Sequence, residues 1–281
     1  MSEALLKIAD LYSVAGKSVA ITGAASGFGL AAARVFAANG AHVFLIDVNG
    51  EALEAARREI GELGAQVASV CLDVTDRAAL EKAMAQCMER FGAIDVLFAN
   101  AGITGGPGYI GLDGKRNPAT QIENQPNDLW ERVLSINLMG IVKTIQAAVP
   151  HMKTKGAGRI IVTTSCSATR TEPFVGSGYV TSKAALAHLV RQLAHELAAF
   201  KITVNAVAPG PAATNIAGGR MKDPQAAAGF AHYIPMGRVA QAEDVAGAVL
   251  FFASPAASYV TGAEILIDGG AVLGPADTAI G

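Results

Sequence analysis

Charge is scarce in this chain: only 16% of its 281 residues are Asp, Glu, Lys or Arg, the net charge is −2, and neither sign gathers into a run. Nucleic acids and anionic membranes are held by clustered cations, so the sequence offers neither partner a surface. Cysteine is scarcer still. Cys71, Cys87 and Cys166 are odd in number and none falls at a paired metal-ligand spacing, which fits a reduced, cytoplasmic setting with no metal site. His188 and His195 lie seven apart, and His195-Glu196 is followed by no second histidine at ligand spacing. No Ser/Pro/Gly-rich linker cuts the chain, so residues 1–281 are expected to form one domain. Residues 1–16 mix Glu3, Lys7 and Asp10 with apolar side chains and read as an N-terminal extension, not a secretory leader. No apolar run is expected to approach the length of a membrane span.

What is abundant is apolar surface, 51% of residues, arranged as short β-branched runs alternating with amphipathic stretches. Strands are expected at Lys17–Thr22, His42–Ile46, Gln66–Leu72, Ile94–Phe98, Arg159–Thr164, Ile202–Ala208 and Glu264–Ile267. Between them the spacing predicts helices over Leu30–Asn39, Glu51–Leu63, from a Thr75 or Asp76 cap to Arg90, Asn127–Met152, a helix carrying Tyr179 and Lys183, and Glu243–Ala253. Strict alternation of this kind builds an α/β fold, a doubly wound, seven-stranded parallel sheet with helices on both faces. Ligands bind at the carboxyl edge of such a sheet.

Three stretches break the alternation. Residues 103–126 hold Gly105-Gly-Pro-Gly108 and Asn117-Pro118, a loop read either as a cover for part of the substrate pocket or as a surface insertion. Residues 215–240 read as a substrate lid, and 271–281 as a C-terminal tail. The helices over 127–152 and around Tyr179 are apolar on more than one stripe, which predicts a subunit interface and a homo-oligomer.

The chemistry-bearing residues follow the strands. After the first comes Gly23-Ala-Ala-Ser26-Gly27-Phe28-Gly29, where Gly23 allows the turn, Gly27 admits a pyrophosphate and Gly29 lets helix and strand pack closely. The second strand ends at Asp47, followed by Val48. A carboxylate there accepts hydrogen bonds from both adenosine ribose hydroxyls and repels a 2′-phosphate, which favours NAD over NADP. Tyr179 and Lys183 lie four apart, on one face of a helix, and an ammonium beside a phenol is expected to lower the phenol's pKa. Alone, that spacing is common by chance.

Taken in order, these residues resemble the short-chain dehydrogenase/reductase family over essentially the whole length. Thr22-Gly23-x-x-x-Gly27-x-Gly29 is similar to its cofactor glycine motif, Asp73-Val74 to its adenine-contacting pair, and Asn100-Ala101-Gly102 to its sheet motif, with Ala99 where asparagine is common. The resemblance implies catalytic roles for Asn137, Ser165, Tyr179 and Lys183, and cofactor contacts from Tyr179, Lys183 and the segment Pro209, Gly210, Ala212 and Thr214. Ser165 and Ser167 both stand near the family's distance from the tyrosine; Ser165, directly after the strand, is preferred, leaving Ser167 as a substrate contact. Pro211, Met221, Phe230 and Tyr233 complete the substrate candidates, mostly apolar.

The function this implies is NAD(H)-linked interconversion of a secondary alcohol and a ketone on a small, largely apolar substrate. Tyr179 would move the proton, Lys183 would lower its pKa and hold the ribose, Ser165 would hold the substrate oxygen, and Asn137 would hold a water. By the same resemblance the assembly is a tetramer, with a dimer as the alternative. An NAD-dependent epimerase or dehydratase and a non-catalytic NAD sensor remain rival readings; net NADH release separates them.

Overall fold

The structure is a computed structural model and describes residues 7–111 and 114–274, so parts of the expected N-terminal extension, C-terminal tail and 103–126 loop lie outside the described residues. Seven strands form one parallel sheet: β1 (Ser18–Thr22), β2 (His42–Asp47), β3 (Val67–Cys71), β4 (Val96–Ala99), β5 (Gly158–Thr163), β6 (Ile202–Pro209) and β7 (Glu264–Ile267), in the order β3-β2-β1-β4-β5-β6-β7. The order reverses between β1 and β4, and that reversal opens a crevice at the carboxyl edge. After a helical turn α1 (Ile8–Leu11), the helices are α2 (Gly27–Ala38), α3 (Gly50–Glu62), α4 (Arg77–Phe91), α5 (Asn127–Leu134), α6 (Ile141–Lys155), α7 (Ser177–Leu197), α8 (Pro224–Ala231) and α9 (Ala242–Ala253).

Alternate strand residues feed two separate cores. Ala20, Phe44, Ile46 and Leu97 pack under α4, α6 and α7, while Val19, Ile21, Leu45 and Phe98 pack under α2, α3 and α9. This is the period-2 alternation of a sheet buried on both faces. Asn49 and Asp76 cap α3 and α4, accepting from the Ala52 and Ala79 amides, so Asp76 rather than Thr75 starts α4.

Two expectations need correction. The single helix foreseen over 127–152 is interrupted: Ser135–Gly140 winds as a π-helix between α5 and α6. And this continuous helical stretch, Asn127–Lys155, is by length and composition apolar enough to cross a membrane. Its apolarity has another use here, because Ile141, Ile145, Ala148 and Met152 are buried in the core against the sheet. A core helix passes the same test as a membrane span.

Candidate active site

Thr22 ends β1, and its Oγ1 accepts hydrogen bonds from the amides of Asn100 (3.0 Å) and Ala101 (3.2 Å) at the end of β4. The Asn100 side chain donates back to the carbonyls of Thr22 and Gly23, and its oxygen accepts from Thr163 Oγ1 at 2.9 Å. One asparagine thus ties together three neighbouring strand ends. Above them runs a cleft of about 480 Å³, reaching from Asp47 and Asp73 at one end to Tyr179 and Lys183 at the other. Gly23, Ser26, Gly27, Phe28, Val48 and Val74 line the first half; Asn100, Ala101, Gly102, Pro209 and Thr214 line the rest.

These residues fit a dinucleotide. The amino end of α2 opens into the cleft at Gly27, whose φ of +53° a side chain would strain, and Ser26 makes no side-chain cap that would occupy the free amides. Both oxygens of Asp47 already accept a backbone hydrogen bond, from Ala25 (3.0 Å) and Asn49 (3.0 Å), leaving one further acceptor site on each. The carboxylate is pinned to the glycine loop, at the place a ribose would occupy.

Three of the expected cofactor residues stand behind the wall. A Cβ on Gly29 would lie 2.1 Å from Gly23 O, so Gly29 is where helix and loop meet, as foreseen. Gly210 meets the Asp268 backbone in the same manner, and buried Ala212 bridges to Ala240. Conversely, Leu72, Ile103, Thr104, Arg132, Ile136 and Asn215 line the cleft without having been singled out. The i, i+4 spacing of Arg132 and Ile136 is the one signal that would have found two of them together.

At the deep end, Lys183 is buried and its Nζ donates to Thr163 O at 2.7 Å. Burial pushes the lysine down to about 8. Burial pushes the Tyr179 phenol up to about 12, against a hydrogen bond with Ser165 that favours the phenolate. The depressed phenol expected from the Tyr/Lys spacing is therefore not what the protein alone provides. Lys183 Nζ is 5.7 Å from the tyrosine ring centre and turned to Thr163, and desolvation governs the phenol. Ser165, itself buried, stands two residues past the end of β5; its Oγ accepts from the Ser167 amide at 3.2 Å and meets Tyr179. The neighbouring Cys166 is buried, with its thiol pushed up to about 11 by desolvation, as suits an inert packing residue.

Asn137 lies in the π segment, fully buried, with both ends of its amide on the Ile103 backbone: Oδ1 accepts from Ile103 N at 2.8 Å and Nδ2 donates to Ile103 O at 2.9 Å. Its side chain is a clamp. The segment that carries it is a π distortion, of a kind frequent at functional sites.

The 103–126 loop is fastened to the segment that leads into α7. Gly108 N donates to Phe174 O, Ile110 N to Pro173 O and Gly176 N to Gly106 O, each at 3.1 Å. On the other side, Phe174 packs on Phe230 (5.8 Å) and Tyr233 (5.4 Å) from the 215–240 segment, and Ile234, Val239 and Ala271 form a small core with Met221 and Phe230 around them. The expected catalytic residues Asn137 and Ser165 do not line the cleft, and neither do the substrate candidates Ser167, Pro211, Met221, Phe230 and Tyr233.

A family model described as enoyl-(acyl carrier protein) reductase matches residues 23–272. Galactitol 2-dehydrogenase (L-tagatose-forming) from Cereibacter sphaeroides is 36% identical over 261 residues, covering 92% of this chain and 96% of that enzyme. A 3-oxoacyl-(acyl-carrier-protein) reductase from Thermotoga maritima is 37% identical over 259 residues, covering 92% and 98%. Among solved structures, carveol dehydrogenase from Mycobacterium avium in complex with NAD superposes with a TM-score of 0.83 at 28% identity, over 92% of this chain and 99% of that one.

Proposed function

Because the chain belongs to the short-chain dehydrogenase/reductase family, whose oxidoreductase relatives match nearly all of it, we propose that it interconverts a secondary alcohol and a ketone, with NAD(H) as cofactor and a small, largely apolar molecule as substrate. One observation carries this reading: Tyr179 and Lys183 line the end of a cleft shaped for a dinucleotide, with Ser165 hydrogen-bonded to Tyr179 beside it. A nicotinamide cofactor held there would supply the hydride acceptor for oxidation and the donor for reduction. Ser165 holds the substrate oxygen, and Tyr179 takes its proton in oxidation and gives it back in reduction. Lys183, whose Nζ donates to Thr163 O, would orient the ribose end. Atoms balance as alcohol plus NAD⁺ giving ketone, NADH and one proton.

Asp47 supports NAD over NADP, since its pinned carboxylate faces the ribose position and would repel a phosphate there. A homo-oligomer is supported by apolar surface left on the 127–155 helical stretch, where Met139 is 44% exposed. The test is a panel of secondary alcohols with NAD⁺ beside NADP⁺, followed by NADH absorbance. Net NADH from NAD⁺ is the expected outcome. NADP⁺ preference would overturn the role given to Asp47, and hydride returned without net NADH would favour an epimerase.

A further inference from the structure

Among the described residues two buried polar side-chain atoms lack a hydrogen-bond partner, Ser167 Oγ and Arg170 Nε, and both sit on the segment leading from β5 to α7. Buried polar atoms are almost always paired, so two orphans on one short stretch call for a common cause. The stretch begins at Ser165, and both orphans follow it within five residues. Ser167 is 3% exposed, and its amide donates to Ser165 Oγ at 3.2 Å. Covalent geometry then keeps the Ser167 hydroxyl within roughly 7 Å of that serine oxygen. Two hydrogen bonds of about 2.8 Å, one to each oxygen of a vicinal pair, span that distance.

Arg170 fixes the charge of what belongs there. One terminal nitrogen donates to Ala271 O and the other to Glu172 at 3.4 Å, so the guanidinium is held on two sides and its charge is matched. Of its three nitrogens, Nε is the one left without a partner, an N–H donor in a neutralised pair. Such a donor suits an uncharged oxygen better than a carboxylate or phosphate, which would meet Glu172 as well.

We infer that the substrate carries an uncharged oxygen on the carbon next to the reacting one, as in a vicinal diol or an α-hydroxyketone, with the Ser167 hydroxyl bonding that oxygen and Arg170 Nε donating to the next oxygen along. This rests on the alcohol–ketone reading of Ser165 and Tyr179.

The test uses matched pairs with the full chain and NAD⁺: 2-butanol against 2,3-butanediol, and cyclohexanol against 1,2-cyclohexanediol. The wild type is expected to favour the diol by about ten- to a hundredfold in kcat/KM, the loss that follows when a buried hydrogen-bonding group is left unpaired. In Ser167→Ala the ratio is expected to fall towards about 1 while the NAD⁺ dissociation constant stays put. A wild-type ratio near 1, or a ratio unchanged in Ser167→Ala, overturns the inference alone. Absence of NADH from both members of every pair overturns the alcohol–ketone reading, and this one with it. Should Ser167→Ala fail to fold, the wild-type ratio decides by itself.

Discussion

The two ends of the cleft are built by different means. At the dinucleotide end the protein offers backbone: the loop from Gly23 to Gly29, the amino end of α2, and a carboxylate fixed by two amides. At the reacting end it offers side chains carried by separate elements: Ser165 after β5, Tyr179 and Lys183 on α7, Asn137 in the π segment. Backbone suits a partner that never varies, because amides and turns change little with sequence. Side chains on loops suit a partner that differs from enzyme to enzyme, which is where specificity can drift while the scaffold stays.

If that division holds, damage at one end should leave the other intact. The largest separation is expected from Tyr179→Phe, which removes the proton-transfer group and should lower kcat by about 10³-fold. Calorimetry should find NAD⁺ affinity within about twofold of the parent, since only one hydroxyl is lost; residual activity near the parent's would sink the assignment. Next comes a matched pair of glycine substitutions. A Cβ at Gly29 would stand 2.1 Å from Gly23 O, and one at Gly176 would stand 2.0 Å from Gly105 O. Forcing a methyl into either contact costs about 1–3 kcal/mol of strain, or roughly ten- to a hundredfold where it falls on binding. Gly29→Ala should weaken NAD⁺ binding, whereas Gly176→Ala should spare it and lower kcat/KM. If both variants lose cofactor equally, the ends are not separable.

Asp47→Ser should be milder. Exchanging the carboxylate for a hydroxyl removes repulsion of a 2′-phosphate and weakens a charge-assisted hydrogen bond, shifting the NAD⁺/NADP⁺ preference by about tenfold. Because Asp47 also holds Ala25 and Asn49, the melting temperature should fall with it. The smallest signal is spectroscopic. With burial holding its phenol up at about 12, Tyr179 should give no phenolate absorbance in the cofactor-free chain until the pH nears that value. A positive nicotinamide nearby favours the phenolate, so the difference between the parent and Tyr179→Phe should move to lower pH once NAD⁺ is added. The sign for turnover follows: oxidation, which needs the phenolate, should gain with rising pH, and reduction should lose. A phenolate at neutral pH without cofactor would contradict this.

Much of this was legible before the fold was known. Each strand end was placed within two residues because short apolar runs stop at residues such as Gly23, Asp47, Asp73 and Asn100, whose chemistry marks an exit. Part of the cleft lining, Gly23, Asp47, Asp73, Asn100 and Thr214 among it, followed from the same exits. What stayed hidden has physical causes. The Tyr179 phenol depends on desolvation, and spacing along a helix says nothing of burial. The π segment shifts the phase of a helix that is apolar on several sides, so the hydrophobic period hardly registers it. The fastening of 103–126 to Pro173–Gly176 is made by backbone groups distant in sequence, and glycine-rich stretches name no partner.

The π segment has a consequence for how such a site is acquired or lost. A π turn contains about one residue more than the α turn it replaces, and the helices on either side keep their facing. Asn137 therefore occupies something like an inserted letter in an otherwise regular helix. Deleting one residue between Ser135 and Gly140 should let α5 and α6 join as one α-helix, with Val133 and Ile145 still in their places. The expected protein folds, binds its dinucleotide and turns over poorly, because Ile103 has lost its clamp. Circular dichroism, cofactor calorimetry and kcat on that single deletion would show whether activity can be spliced out of this fold without disturbing its architecture.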